Sequence, residues 1–560
     1  MKRIASPADL NPATILVIGG GGAFGIRLTE GLLQTTDCRV VVAGRTQRHQ
    51  AVVAALAESH GRERISAVTL DRRNAAPEIR EIRPFCVIDA AGPFQNQEPS
   101  VARAAIAAGC HYVDIADARD FVATFPALDR EARAAGVLAA TGASSTPALS
   151  SAALDAITRG WRVVEVVEIA ISPGNRAPRG LSVVKAILSY AGRPVRLRLD
   201  GAWTTKPAWG ELVRRTIPGL GPRWLSLCET PDLDLVPARF PAVRTAIFRA
   251  GLEIPALHLG LFVLAQAVRL HLLPSLGRLA RPLRAIAGRL DKYGSDRGGM
   301  SVSAKGVGAD GAAVEATWSL VAEAGDGPNI PVLPALALVK ALLDDRIAVR
   351  GAMAAVGILG LPDIEAEFRR FAITTRHDVR QREAGLFVSA LGPSMDAMPP
   401  SLRDVPAGVR TRILRGRVDV TGASTLAGRM IAWLFRFPRQ QNDLAADVVL
   451  TPQNSSEVWT RRFGGATFRS RLRRDDGSGR LTEQFGPFVM LLHIAAHENG
   501  FNLNATGWRL GALPLPRFLA PRSQARAFID DTGRYRFDVP ISLPLIGSLV
   551  HYRGWLIADP

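Results

Sequence analysis

Cysteine is scarce, with four in 560 residues, Cys38, Cys86, Cys110 and Cys228, none paired as CxxC and none with a histidine at metal-finger spacing. This excludes a disulfide framework and indicates no zinc site. Lysine is also rare: six of the 69 basic residues are lysine, so the net charge of +18 is carried by arginine. Such a surplus suits phosphates, nucleic acid or anionic lipid, or else reflects a coding bias spread over solvated faces. Long apolar runs are missing. Ile254 to Val268 holds 15 residues without a formal charge, short of the roughly 20 that cross a bilayer as one helix. Met1 to Pro12 carries charges and prolines where a secretory signal needs an apolar stretch of about 7–15 residues, so the cytoplasmic side is expected. What remains is a globular composition, 47% hydrophobic and 21% charged, long enough for about three to five folding units.

Thr14 to Ile18 is an apolar run that stops at Gly19-Gly20-Gly21-Gly22-Ala23-Phe24-Gly25 and continues into a helix-like Ile26 to Leu33. Gly20, Gly22 and Gly25 match G-x-G-x-x-G between a strand and a helix. The first glycine allows the turn, the second lets a pyrophosphate approach the backbone, and the third lets helix and strand pack closely. Unpaired amides at the helix start, at Ala23 and Phe24, are the expected phosphate donors. The next strand, Arg39 to Ala43, ends at Gly44-Arg45-Thr46-Gln47-Arg48, where an NAD site usually places an acid for the ribose hydroxyls. No acid is there. Arg45, Thr46 and Arg48 suit a 2′-phosphate instead, which favours NADP over NAD; the alternative is that Arg45 merely ends the strand facing water.

Strand-like and helix-like runs then alternate to Val137–Ala140, implying a doubly wound parallel sheet covered on both faces. Ligands in such sheets lie beyond the carboxyl ends of the strands. Asp71, the turn Ala90-Ala91-Gly92-Pro93-Phe94, the segment Asp114 to Asp117 and Thr141 to Ser145 should therefore line one cleft. Read together, Val87 to Phe94, Gly109 to Asp114 and Gly142 to Pro147 resemble the saccharopine dehydrogenase-like family, with further similar stretches at Gly294–Met300 and Arg350–Met353. The last third resembles a bacterial domain of unknown function. The family resemblance implies a bound nicotinamide cofactor and hydride transfer to a carbonyl or imine of a small molecule. No set of basic residues for a dicarboxylate amino acid stands out. A proton donor or polarising group is then required. Asp114, Asp117 and Ser145 are the candidates, set against the plainer reading that Asp114 caps a turn and Ser145 caps the helix after Pro147.

Three domains are expected: a Rossmann-like dinucleotide-binding domain at 1–150, an α+β substrate or dimerisation domain at 151–375, and a β-rich domain at 380–560. Within 252–290, Leu276, Leu279, Leu283, Ile286 and Leu290 recur at helical spacing among Arg278, Arg281, Arg284 and Arg289, with a bend expected at Pro282. That helix either rests on an anionic bilayer, peripheral to the inner face of the membrane, or packs on protein between domains or in a homodimer. Beyond residue 380 many short strands bounded by glycine or proline read as an antiparallel barrel or sandwich, with a tight hairpin at Phe463-Gly464-Gly465-Ala466. Charged and apolar residues interleave in Trp459–Phe463 and Phe468–Leu472, which suggests a basic, wet face. The same pattern is ordinary for a solvated sheet, so no nucleic-acid partner is expected, and an apolar small molecule or lipid inside the barrel is the better fit. No metal site is expected: His493 and His497 are four apart but fall where strand and loop are read rather than helix, and no adjoining acid completes a metal motif. Two functions stand: an NADP-dependent oxidoreductase of saccharopine dehydrogenase-like type, or a noncatalytic nucleotide-binding or membrane-associated scaffold.

Overall fold

The structure, a computed structural model, describes residues 12–45, 48–177, 180–309, 312–381, 386–391, 412–453, 456–475, 480–497, 499–511, 513–532 and 534–558. Internal contacts divide the chain into two units, one drawn from residues 1–305 and 315–380, the other from 306–314 and 381–560.

The first unit is built on a parallel sheet. Its first six strands are β1 (Thr14–Ile18), β2 (Arg39–Gly44), β3 (Ile65–Thr69), β4 (Cys86–Asp89), β5 (His111–Asp114) and β6 (Leu138–Thr141). They are ordered β6-β5-β4-β1-β2-β3, and a seventh strand, Gly351–Ala354, pairs in parallel beside β6. The order reverses at β1, and the crevice at that reversal is where doubly wound sheets place their ligands. Both faces of the sheet are covered. Ile15, Leu16, Val17, Val40, Val42, Val87 and Val113 are fully buried, as expected when side chains on both sides of a strand meet helices. Helix α1 (Ala23–Thr35) follows β1, and α2 (Arg48–His60) follows β2.

The same unit carries a mixed sheet ordered Val213–Ile217, Gly221–Leu227, Thr245–Ala250, Val163–Ser172, Gly298–Val307, Ala313–Ala322 and Ile373–Gln381, with a hairpin Pro194–Leu199 and Ala202–Pro207 attached through Thr245–Ala250. Two local expectations need correction. The helix expected from Pro147 begins at Ser150, because Ser145–Leu149 forms a wider turn in which Thr146 keeps extended dihedrals. Pro282 does not bend a helix: it lies in the first turn of Ala280–Arg289, where its missing N–H costs no hydrogen bond. Of the leucine stripe, Leu276 is fully buried and Leu279 and Leu283 pack against the core, while Ile286 stays exposed.

The second unit is an antiparallel barrel. Arg412–Thr421, Gln441–Gln453, Ser456–Phe463, Ala466–Arg474, Leu481–Phe485, Phe488–His497, Gly500–Leu510, Gln524–Ile529, Tyr535–Leu543 and Gly547–Ala558 each pair with the next, and the last pairs with the first. Leu513–Pro514 adds a short flap to Gly500–Leu510. The hairpin at Gly464-Gly465 forms as expected, with Gly464 at φ +57°. The basic face needs correction. Arg469, Arg471 and Arg473 do point outward, but Arg461 shares the inward parity of Trp459 and Phe463 and is buried with them. Phe463 and Phe468 are likewise turned into the barrel, away from any strand of nucleic acid that could stack on them.

Candidate functional site

The turn after β1 is held by three backbone bonds: Gly19 and Gly20 N–H donate to the Ala43 carbonyl at 2.9 and 3.2 Å, and Gly22 N–H to the Gly19 carbonyl at 2.9 Å. Gly19 has φ +81°, a conformation glycine adopts without strain. A Cβ on Gly25 would stand 2.3 Å from the Gly19 oxygen, so only glycine lets α1 sit this close to the strand end; a Cβ on Gly20 would meet Val42 Cγ1 at 2.3 Å. At Gly22 the surroundings differ. Its side is open to solvent, its nearest neighbour to an added Cβ being the Gly19 oxygen at 3.1 Å. Gly22 is also the N-cap of α1 and offers no side chain to the first-turn amides. Ala23 is exposed and Phe24 half-buried there, so the positive end of a 13-residue helix faces the crevice with its amides uncapped by side chain.

At the end of β2, Arg45 and Arg48 are both exposed, with Arg48 opening α2; Thr46 lies outside the described residues. No carboxylate stands in β2 or at its described end. Asp71 sits beyond β3, where its Oδ1 accepts from Arg73 N–H at 3.0 Å and so caps a short turn. Ala91, Gly92 and Pro93 follow β4. Gly92 and Pro93 are exposed, and the backbone of Ala91 packs against the glycine turn, its nitrogen 2.8 Å from where a Gly19 Cβ would be.

Two buried carboxylates fix these loops. Asp89 accepts from Ala91 N–H at 3.0 Å and from Arg72 Nε at 2.7 Å; burial raises its pKa and Arg72 opposes that. Asp114, fully buried at the end of β5, gathers three donors on Oδ1: Ala116 N–H at 2.9 Å, Thr141 Oγ1 at 2.9 Å and Gly142 N–H at 2.7 Å. Burial pushes its pKa up to about 7 against those hydrogen bonds, with Asp89 adding to the rise. The arrangement ties the carboxyl ends of β5 and β6 together. His111, accepting from Leu138 N–H at 2.9 Å through Nδ1, performs a similar tie at their other ends, and burial lowers its pKa.

Asp117 is placed differently. It reaches solvent but is hemmed in by protein, and that desolvation raises its pKa; Gln95 Nε2, 3.5 Å from Oδ1, acts the other way. Burial raises the pKa of Tyr190 and Cys228, whose hydroxyl and thiol are 3.0 Å apart, and the charge of Asp117 adds to both rises. Tyr190 ends the helix Leu181–Tyr190 and Cys228 follows Gly221–Leu227, so no local motif announces them; long-range packing brings them beside Asp117. Ser145 is half-buried just beyond β6. Among the described residues no cluster of histidine, cysteine or carboxylate has metal-binding form.

A parallel sheet with a bare glycine turn at its point of reversal defines a Rossmann-type nucleotide fold. Residues 15–140 match the family described as Saccharopine dehydrogenase NADP binding domain, and residues 401–556 match Domain of unknown function (DUF4166). Among solved structures the chain is similar to the apo saccharopine dehydrogenase (L-Glu forming) from Saccharomyces cerevisiae, at 16% identity over 66% of this chain and 100% of that one, with a TM-score of 0.47. It is also similar to the WlbA (WbpB) dehydrogenase from Thermus thermophilus, at 10% identity over 43% of this chain and 72% of that one, TM-score 0.25. A probable dehydrogenase from Thermotoga maritima matches at 15% identity over 31% and 50%, TM-score 0.23. No curated protein matches the chain.

The raised pKa of Asp114 has a signed consequence. The folded state holds this proton up to about pH 7, whereas an unfolded aspartate releases it near 4, so stability falls as pH rises through that window. Asp114→Asn keeps a carbonyl acceptor for the three donors and removes the ionisation. We expect the urea midpoint of the variant to fall less between pH 4 and pH 7 than that of the parent, with part of the slope left by Asp232, which burial pushes up to about 6.

Proposed function

We propose that the first unit is an NADP-dependent oxidoreductase that transfers hydride to or from the carbonyl or imine carbon of a small molecule. One observation carries the reading: the uncapped start of α1 opens across a glycine turn beside two exposed arginines where an NAD site would present an acid. The residues fit the cofactor. Gly20, Gly22, Ala23, Phe24 and Gly25 would hold the diphosphate, Arg45 and Arg48 the 2′-phosphate, and Asp71, Ala91, Gly92 and Pro93 the walls of the crevice. The bound nicotinamide would supply the hydride. Of the three candidates for proton transfer, Asp117 has both a titratable group and access to solvent, and its raised pKa keeps the carboxyl nearer neutrality as a proton donor. Asp114 acts instead as a positioning group for the β5 and β6 ends, and Ser145 contributes a hydroxyl at the rim.

Arg45→Ala should weaken NADPH binding by about tenfold or more while changing NADH little, as loss of a hydrogen bond to a charged group predicts. Equal weakening of both in a fluorescence titration would refute the 2′-phosphate assignment. With a turned-over substrate found by screening carbonyl and imine compounds for loss of nicotinamide absorbance, Asp117→Asn should lower kcat by roughly 10²–10⁴-fold and remove one limb of its pH profile. An unchanged profile would remove Asp117 from the chemistry.

A second reading, a membrane-associated scaffold, draws on exposed side chains of Pro255–Arg269, the turn after it and Ala280–Arg289. No helix among the described residues is long and apolar enough to cross a membrane. Yet Val263, Leu270 and Leu272 are 63%, 65% and 73% exposed, with Ile286 at 48%, alongside exposed Arg269, Arg281, Arg284 and Arg289. Apolar and cationic side chains so mixed suit the headgroup region of an anionic bilayer, and the same side chains would serve a homodimer. Co-sedimentation with phosphatidylserine vesicles at physiological salt should be reduced by Leu270→Glu with Leu272→Glu; a parent chain that stays wholly in the supernatant would end the membrane reading.

A further inference from the structure

Ten strands enclose more width than side chains of ordinary size can fill, and closed barrels of this class use the excess as a chamber. Here a cavity of about 80 Å³ runs among Leu414, Val448, Met490, Leu492, Phe501 and Phe537, with further apolar neighbours along the lumen. An apolar space of this kind gives water few partners and so favours an apolar guest. One end is covered by Phe387, whose ring lies 5.8 Å from that of Trp459 and 5.3 Å from that of Phe501. Toward the other end, Phe437 packs edge-on against Phe468 and Phe485.

Within this wall stands one ion pair. Arg461 and Glu483 both line the cavity, 3.2 Å apart, with side chains only 9% and 13% exposed. Arg461 also donates to Ser470 Oγ at 2.8 Å, and its guanidinium lies 4.9 Å from the Trp459 ring centre. A guanidinium has five N–H donors and no acceptor, so Ser470 and Glu483 leave it able to give more. Because Glu483 already balances its charge and the buried Glu457 also acts on Arg461, a second anion beside this guanidinium would be opposed, while a neutral acceptor oxygen would not; the other cation of the lining, Arg526, is exposed. The ordinary role of a buried pair is structural. An all-apolar wall would nonetheless pack at lower desolvation cost, so a pair set on the cavity surface has a use there that one sealed in the core would not.

We propose that the barrel lumen binds a neutral apolar molecule bearing a carbonyl oxygen, with that oxygen accepting from Arg461. Tyr535 and Tyr552, buried in the same lining with un-ionised hydroxyls, add no charge of their own beside the oxygen. The inference does not rest on the oxidoreductase reading, since it concerns the second unit alone.

The probe is Prodan, an apolar naphthalene ketone whose emission shifts to the blue in an apolar site, titrated into the full chain; it is larger than the resting cavity, so its entry requires adaptable lining side chains such as Met490 to move. The expected result is saturable binding at one site. Ala527→Phe, which fills the lumen from its wall, should abolish it. The double variant Arg461→Met with Glu483→Gln removes the pair without stranding a charge, and should weaken Prodan at least tenfold while leaving the parent affinity for 2-dimethylamino-6-propylnaphthalene, which lacks the carbonyl. Near-ultraviolet circular dichroism verifies folding of each variant. No saturable shift in the parent chain, or equal binding by Ala527→Phe, would overturn the lumen as the site. Full retention of Prodan affinity in the double variant would overturn recognition through Arg461.

Discussion

The approach of α1 to the end of β1 is the constraint on which the first unit depends. An added Cβ at Gly25 would fall 2.3 Å from the Gly19 oxygen, a distance no side chain tolerates, so the glycine sets how closely the helix meets the sheet. Once that contact exists, the helix start cannot be covered by the chain that precedes it, and its amides face the crevice at the reversal of strand order. In the proposed function the backbone itself would be the recognition surface for the diphosphate. Side chains would enter only at the margins, where Arg45 and Arg48 stand exposed at the end of β2.

Buried acids hold the remaining loops at the right height. Asp89 and Asp114 end adjacent parallel strands and direct their oxygens at backbone amides just beyond the strand ends, so each loop is tied to the sheet it leaves. An acid in that position is costly to ionise, and the rise of Asp114 to about 7 records the cost. Asp117, three residues on, makes none of these ties and is exposed. One short segment thus contains both a buried strut and an exposed carboxylate.

Much of the first unit was legible in the sequence because its signals are local. A strand, a glycine turn and a helix within Thr14–Thr35 are each set by neighbours in the chain, as is the Gly464-Gly465 hairpin. What sequence reading missed depends on distant partners. The Tyr190–Cys228 contact joins residues 38 apart. Gly351–Ala354 returns to the first sheet after all but the last strand of the mixed sheet has intervened, which no composition shift near residue 150 betrays. Arg461 was misplaced for another reason: the two arginines at 461 and 462 look alike in composition, but strand parity sends one inward and the other out. Pro282 was read as a kink because its effect depends on how many helical residues precede it, and only two do.

The pairing of Gly547–Ala558 with Arg412–Thr421 has a consequence for biosynthesis. The ring joins residues 130 to 144 positions apart, so while the ribosome is still making the interval, nine strands can form only an open, curling sheet with two bare margins. Completion waits for the final strand to leave the exit tunnel. Until then the nascent ribbon is at its most adhesive, and chaperones would meet it in that form.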